Sequence, residues 1–401
     1  MKKLLVTIVL LTAINASAQW AQIGNYYSNG YAVYSLYSDS NYIYAGTDAS
    51  GIFRTSINSI NWVSFNNGLQ FSYGIKDILK NGGRLFAASF YHGLYVYSNV
   101  NSSWSKVNVS NINFKPTSLY SKDNYIYMSF DEPACVFKSS DSGYNWSYSG
   151  VGAQYSSSLT SCGDYLFFGT SSGVYRSTLE AEYWTAMNNG MPSSVVESLI
   201  ATGNTIFAGT WLGGVYRSTD FGMTWVQCGL ADKTVHTFLV YNAIVLAGTD
   251  QGVFVTTNYG NSWINYNQGF DIPRVVLSLT KAGNYIIAGT NTAFVWRRAL
   301  SELTSVYNSN IEIPSSYSLS QNYPNPFNPM TNVKFSIVKS GDVKIVVYDV
   351  MGREVQTLLN ERLNAGTYEV KFDGSGLTSG VYFYRMVTGE FTKTKRMLLI
   401  K

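Results

Sequence analysis

Five carboxylates sit in turns between short apolar runs: Asp48, Asp131, Glu132, Asp250 and Asp271. Hydrolysis of a glycosidic bond needs two such groups flanking the bond, ~5–9.5 Å apart. Asp131 and Glu132 are adjacent, and neighbours on an extended chain point to opposite faces, so they make a weak pair. Asp48 and Asp250 each follow a Gly-Thr pair, and that shared context predicts a turn role for both. Aromatic residues crowd the same kind of loop. Phe90-Tyr91-His92 and Trp211-Leu212-Gly213 join apolar runs, while Tyr26, Tyr27, Tyr31, Phe71, Tyr73, Tyr155 and Phe270 precede them. Exposed rings of this kind stack on sugar faces or anchor a protein partner; the alternative is that they pack between neighbouring loops.

Several other chemistries find no support. Two His and three Cys leave little material for a zinc site, and neither a Ser-His-Asp set nor a phosphate-binding glycine loop stands out. No cofactor is expected. Lys and Arg number 28 against 24 Asp and Glu, and removing Lys2 and Lys3 leaves 28 − 2 = 26 against 24. That balance lacks the basic excess of a nucleic-acid binder. Cys135, Cys162 and Cys228 are odd in number, so they allow at most one internal disulfide and read as small core residues.

The elements that position these loops follow from composition and period. With 15% aromatic and only 13% charged residues, the chain is neither disordered nor a coiled coil and favours many short aromatic strands. Residues 1–18 run from two lysines through an apolar stretch at 4–11 to Ala16 and Ala18, the order of a secretory leader cleaved before Gln19. That apolar stretch is far short of the ~20 residues that span a bilayer.

Residues 19–300 repeat one unit seven times. Gly46, Ala88, Ser129, Gly169, Gly209, Gly248 and Gly289 occupy one position, mostly within an Ala-Gly-Thr triplet, at spacings of 42, 41, 40, 40, 39 and 41. Eleven residues upstream, Ser35, Asp77, Ser118, Ser158, Ser198, Thr237 and Ser278 keep the same spacings. Each unit holds about four β-type runs separated by Gly, Asn and Ser, as at 196–200, 205–209, 214–218 and 225–228. Four strands in ~40 residues predict a propeller blade. Between the last two runs lie 139–146, 218–225 and 256–263, with the pattern S-x-D-x-G-x-x-W carried by Asp141, Gly143, Trp146, Asp220, Gly222 and Trp225. Asn258, Gly260 and Trp263 form an altered copy. The acidic or amide oxygen caps backbone N–H groups, Gly takes the positive φ, and Trp buries its ring between blades.

This pattern resembles the Asp-box (BNR) hairpin of sialidases, sortilin-type receptors, photosystem assembly factors and xyloglucan hydrolases. Because its bonds are local, the box reads mainly as a folding device, and its presence does not indicate catalysis. A sialidase would need an arginine cluster, but Arg54, Arg176 and Arg217, with Lys138 in the same place, fall at one repeat position beside the box and read as structural. Trp62, Trp104, Trp146, Trp184, Trp225 and Trp263 supply six box positions for seven units. Trp20, 26 residues before Gly46, predicts that the segment 20–23 completes the last unit and removes an open sheet edge.

From residue 301 to 329 the pattern becomes that of a proline-rich, extended linker containing Asn322-Tyr323-Pro324-Asn325-Pro326-Phe327-Asn328-Pro329. Strand-like runs follow at 332–337, 342–349, 367–372, 380–387 and 391–399. The Pro-rich opening, Leu363 to Tyr368, Leu377 to Tyr384 and the basic end at 393–401 closely resemble the type A C-terminal sorting domain of type IX secretion, an immunoglobulin-like module. The resemblance implies the type IX machinery as partner and an address at the outer-membrane surface, or beyond, of a Gram-negative cell.

The resulting expectation is an all-β chain: a leader at 1–18, a seven-bladed β-propeller at 19–300, a linker at 301–316 and a small immunoglobulin-like β-sandwich at 317–401. Its function reads as noncatalytic binding or scaffolding of an extracellular glycan or protein through Phe90, Tyr91, Asp131, Glu132 and Trp211. The alternative is an extracellular glycoside hydrolase acting on polysaccharide.

Overall fold

The computed structural model describes residues 19–23, 32–70, 74–109, 115–131, 133–153, 155–192, 195–292, 294–303, 316–339, 341–363, 366–389 and 391–401. The expected leader, Glu132, Tyr26, Tyr27, Tyr31, Phe71 and Tyr73 lie outside them. The chain is nearly all β, with one short helical turn at 300–303, and splits into two compact units, Met1–Thr304 and Ser305–Lys401.

In the first unit the described strands form seven four-stranded antiparallel sheets. The fifth, built of Val196–Thr202, Thr205–Thr210, Gly214–Ser218 and Val226–Gln227, is representative. Its second strand is buried almost throughout, which is why that run is continuously apolar instead of alternating. The first strands are Val33–Ser38, Ile75–Asn81, Pro116–Lys122, Ser156–Cys162, Val196–Thr202, Val235–Tyr241 and Val276–Ala282. Each touches the first strand of the sheets before and after it, and the last touches the first, so the sheets close a ring around these inner strands.

The repeated residues are the joints of that ring. A Cβ added to Gly209 would lie 2.4 Å from Ser198 Oγ and 2.7 Å from Val235 of the next sheet, so only glycine lets the two sheets meet there. Ser198 Oγ donates to the Val235 carbonyl at 2.8 Å, and Ser278 Oγ to the Val33 carbonyl at 3.0 Å across the closure.

The second sheet places Asp77 where the others carry Ser or Thr. Its carboxylate accepts from the N–H groups of Ile78 and Leu119, each at 2.8 Å, and from Ser118 Oγ at 3.3 Å. Burial pushes its pKa up to about 6, against these hydrogen bonds, which lower it. The folded chain therefore holds this proton more tightly than the unfolded chain does. The contribution of this residue to stability is fully present below about pH 4 and is lost as pH rises through 6, by on the order of 3 kcal/mol. Asp77→Asn keeps an acceptor and removes the titration. Denaturation midpoints of both proteins at pH 4 and pH 7 should diverge by that amount; an identical pH slope in the variant would refute the assignment.

Indole N–H groups lace neighbouring sheets together. Trp62, Trp104, Trp225, Trp263 and Trp20 donate to the carbonyls of Ile23, Phe65, Met187, Cys228 and Tyr266. Each acceptor lies three residues after the Trp of the preceding sheet. Trp184 bonds Ser149 Oγ at the same relative position. Trp146 departs from the pattern and donates to the Gly143 carbonyl of its own turn. The segment at 20–23 pairs with Val295–Ala299, matching Ala21 with Arg297 and Gln22 with Trp296, as the tryptophan count predicts.

The second unit stacks a three-stranded sheet (Ser318–Leu319, Met330–Ile337, Gly366–Asp373) on a four-stranded one (Gly341–Tyr348, Glu354–Leu363, Gly380–Thr388, Thr392–Leu399). Phe335 and Phe372 from the first sheet share a core with Ile345, Tyr384, Met386 and Met397 from the second. The reading of residues 317–329 as a continuation of the linker is corrected. Phe327 and Asn322 are both 2% exposed, Phe327 N–H donates to the Leu398 carbonyl, and Gln321 Nε2 donates to that of Arg396. Proline cannot donate to a ladder, but here the segment lies along the open edge of Thr392–Leu399 and covers it.

Candidate binding face

The box turns behave as a folding device. Asp220 Oδ1 accepts from Thr224 N–H at 2.9 Å and Ser218 Oγ at 2.8 Å, while Ser218 Oγ accepts from Gly222 N–H at 2.8 Å. Asp141 and Asn258 repeat these bonds, and Gly143, Gly222 and Gly260 take φ near +83° (84, 82 and 84). Backbone and side-chain donors of Asn145 hold the Asp141 carboxyl down at about 2. The residues before these glycines, Ser142, Phe221 and Tyr259, also have positive φ, which the sequence pattern does not mark. The cations beside the box reach the next sheet's turn: Arg176 donates to the Phe221 carbonyl, Arg217 to that of Tyr259 and Lys138 to Glu180. Arg54 lies over the rings of Tyr42 and Phe65. A further repeated device escaped the sequence reading. Asn66, Asn188 and Asn267, four residues after a Trp and two before a Gly, each accept a strand N–H through the side-chain oxygen.

The candidate ligand-facing residues gather at one end of the inner strands. Phe90, Asp131 and Trp211 occupy one repeat position, the residue after the second strand, together with Asp48, Ser171, Asp250 and Asn291. In all seven sheets its N–H donates to the carbonyl of the residue sixteen positions earlier, as Asp48 does to Ala32 and Trp211 to Val195. Asp48 and Asp250 lie in the connections that follow these second strands, and the threonines before them tie the turns: Thr47 Oγ1 donates to the Gly51 carbonyl and Thr249 Oγ1 to that of Gly252. Trp211 is 56% exposed and Tyr91 53%, whereas Phe90 is half-buried and packs edge-on against Tyr91 at 4.9 Å. Asp271 is bound by the buried Arg274 guanidinium at 2.6 Å, which holds its carboxyl below the usual range.

Each inner strand carries a β-bulge at its start, and bulges re-aim a side chain. The bulged residues are Tyr34, Lys76, Thr117, Ser157, Glu197, His236 and Leu277, all half-buried. In the fourth sheet the irregularity also takes in Ser158. Lys76 Nζ lies 3.7 Å from the centre of the Tyr34 ring and 5.1 Å from that of Phe90. Burial pulls the Lys76 ammonium below its ordinary pKa, opposed by Asp48, Asp131 and Glu197, which stand on three other sheets. Burial likewise raises Glu197, opposed by Lys76, and lowers His236, opposed by Asp250. Lys76 on the second sheet and Glu197 on the fifth share the bulge position at the start of their inner strands.

Burial raises the Cys135 thiol to about 12 and that of Cys228 to about 11, so neither is a nucleophile at neutral pH. Among the described residues no His, Cys, Asp or Glu cluster has a metal-binding arrangement, and no helix is long and apolar enough to cross a membrane. A cleft of about 370 Å³ between Tyr241, Tyr285 and Leu300 opens at the opposite end of the sheets and includes none of the candidate residues.

Residues 321–401 match the family described as the secretion system C-terminal sorting domain. A search by sequence among curated proteins returned no match. Solved structures of similar fold have propeller-like sheets. YCF48 from Cyanidioschyzon merolae aligns with a TM-score of 0.56 at 10% identity, over 71% of this chain and 99% of that one. Virginiamycin B lyase from Staphylococcus aureus aligns with 0.58 at 12%, over 70% and 98%. The extracellular domain of a putative hybrid two-component system from B. thetaiotaomicron aligns with 0.56 at 12%, over 96% of this chain but 59% of that protein. At such identities the likeness is one of fold. The sorting tail supports export by type IX secretion, to the medium or the cell surface.

Proposed function

We propose that the chain is a noncatalytic binding protein of the cell exterior: a secretory leader at 1–18, a seven-bladed Asp-box propeller at 19–300, a linker at 301–316 and an immunoglobulin-like sorting domain at 317–401. Its ligand, an extracellular glycan or protein, docks on the loop end that carries Phe90, Tyr91, Asp131, Glu132 and Trp211. One observation carries this reading. The position after the second strand is equivalent in all seven sheets, yet its residue type varies between Asp, Phe, Ser, Trp and Asn, and two of its loops expose large aromatic rings to solvent. Exposed, rigid aromatic side chains near the centre of a surface are the usual anchors of binding.

A glycan array and an activity screen on the full chain test it together. Binding without turnover is expected, weakened at least tenfold, or about 1.4 kcal/mol, by Trp211→Ala with the unfolding midpoint unchanged. Turnover abolished by Glu132→Gln would assign the chain to the hydrolases instead.

A further inference from the structure

The two sheets of the second unit have four strand edges between them, and three are blunted. Ser318–Leu319 is only two residues long. Thr392–Leu399 is covered by the proline-rich segment, where Phe327 N–H donates to the Leu398 carbonyl and Leu398 N–H to Asn325 Oδ1. Glu354–Leu363 is broken by two irregularities in its pairing with Gly341–Tyr348. Short strands, covering segments and bulges keep an edge from pairing with another chain. Gly366–Asp373 has none of these devices. It pairs with Met330–Ile337 over eight consecutive residues without a shift, contains no proline, and has no strand on its other side among the described residues.

The direction of its unpaired groups follows from the strand beside it. Asn332 exchanges both backbone bonds with Tyr323, and the Lys334 carbonyl accepts from Ser320 N–H, so these two residues turn away from Gly366–Asp373. Their partners across the ladder, Lys371 and Glu369, therefore aim N–H and C=O at the open edge, and the alternation of the strand adds Thr367 and Asp373. The side chains of these four residues are exposed. On the other face Phe372 is buried in the core, whereas Tyr368 and Val370 pack against it and stay only half-buried. Glu369 stands across from Lys334, yet neither Glu369 nor Lys371 makes an ion pair among the described residues.

We infer that Gly366–Asp373 is a self-association surface: the same edge of a second copy of this chain pairs with it, antiparallel, about a two-fold axis at Val370. Such an edge pair is isologous, so one patch serves both copies. Only alternate residues offer bonds, which confines the axis to a residue and excludes the space between two. At Val370 the axis sets Glu369 opposite the partner's Lys371, and Lys371 opposite the partner's Glu369. It also sets Thr367 opposite the partner's Asp373 and, on the core side, Tyr368 opposite the partner's Phe372. An axis at Glu369 or Lys371 would place like charges face to face. Opposite charges directly across a strand pair stabilise it and like charges oppose it, so the charge order of this strand selects one register. The half-buried Tyr368 and Val370 leave solvent in the same step. The ligand of the first unit plays no part in this inference.

Analytical ultracentrifugation of the full chain over a range of concentrations tests it, and a reversible dimer is expected. Glu369→Lys and Lys371→Glu should each weaken that dimer tenfold or more, because each sets two like-charge contacts across the axis. The two substitutions combined restore opposite charges and should restore the dimer. Val370→Cys places two thiols across the axis with Cα atoms about 4.5 Å apart, a span that a disulfide bridges. Under a mild oxidant it should give a covalent dimer, which neither the unaltered chain nor Val370→Cys combined with Glu369→Lys should form. If a charge reversal lowers the unfolding midpoint, the cross-link alone decides, since it leaves the charges untouched. A chain that is monomeric at every concentration overturns the inference, as does a dimer that both single reversals leave intact or that Val370→Cys fails to trap. A monomeric chain that still binds a synthetic peptide copying residues 366–373 would assign the edge to an extended segment of another protein and overturn the second copy as its occupant.

Discussion

Trp20→Ala is expected to lower the stability of the first unit by ~3–5 kcal/mol, the cost of truncating a fully buried aromatic side chain. The residue is 1% exposed and stacks on Phe270 with ring centres 5.2 Å apart and planes 8° from parallel. Its indole N–H donates to the Tyr266 carbonyl at 2.6 Å and its backbone N–H to that of Gln268 at 2.7 Å. The strand it introduces, Ala21–Gln22, contributes just two residue pairs to the final sheet. That ladder is too short to hold the closure without the ring beside it. The backbone passes so close that a Cβ on Gly269 would meet the Trp20 carbonyl oxygen at 2.3 Å, so little relaxation can fill the cavity. Trp20→Phe keeps most of the stacking and should cost less than half as much. Chemical denaturation of the full chain and both variants, followed by a probe in the first unit, measures this. A loss under 1 kcal/mol for Trp20→Ala would mean that the ring closes by other contacts.

This closure was legible because it rests on arithmetic: seven glycine-type positions, six box tryptophans and a seventh Trp at the right distance upstream. The box turns were legible because their bonds are local, made within five residues of Asp220. The inner ring was not. Bulged residues such as Lys76, Glu197 and His236 share a register position but no residue type, so no periodic signal marks them, and their common direction appears with the pairing of Val196 and Ser198 to Thr210 and Gly209. The connections at Asp48 and Asp250 were legible in part: both repeat directly after Gly-Thr and lie in the turns, whereas the Thr47 and Thr249 hydroxyl bonds that tie those turns are visible only in the structure. The proline-rich segment read as a linker because four prolines lie close together between 314 and 329; the burial of Phe327 against Phe372 is a tertiary fact that local propensity does not carry.

Removing residues 317–401 should leave the first unit folded and stop its export, the largest functional change expected of any alteration here. The two units have separate cores: Phe335, Phe372, Tyr384 and Met397 pack within the second, while the first closes its ring from Trp20 to Val295 without them. Units with their own cores normally fold alone. The family match spans 321–401, and a leader at 1–18 would by itself take the chain across the inner membrane alone. The truncated chain should therefore accumulate in the periplasm of a type IX-competent host with the unfolding midpoint of the intact first unit, while the full chain reaches the medium or the surface. Fusing 317–401 to an unrelated protein with a secretory leader should carry that protein out as well. Fractionation and proteolysis of intact cells distinguish the compartments. Efficient surface delivery of the truncated chain, or retention of the fusion, would show that the information for export lies outside the tail. A truncated chain that is degraded would be read through the fusion, which retains the whole second unit.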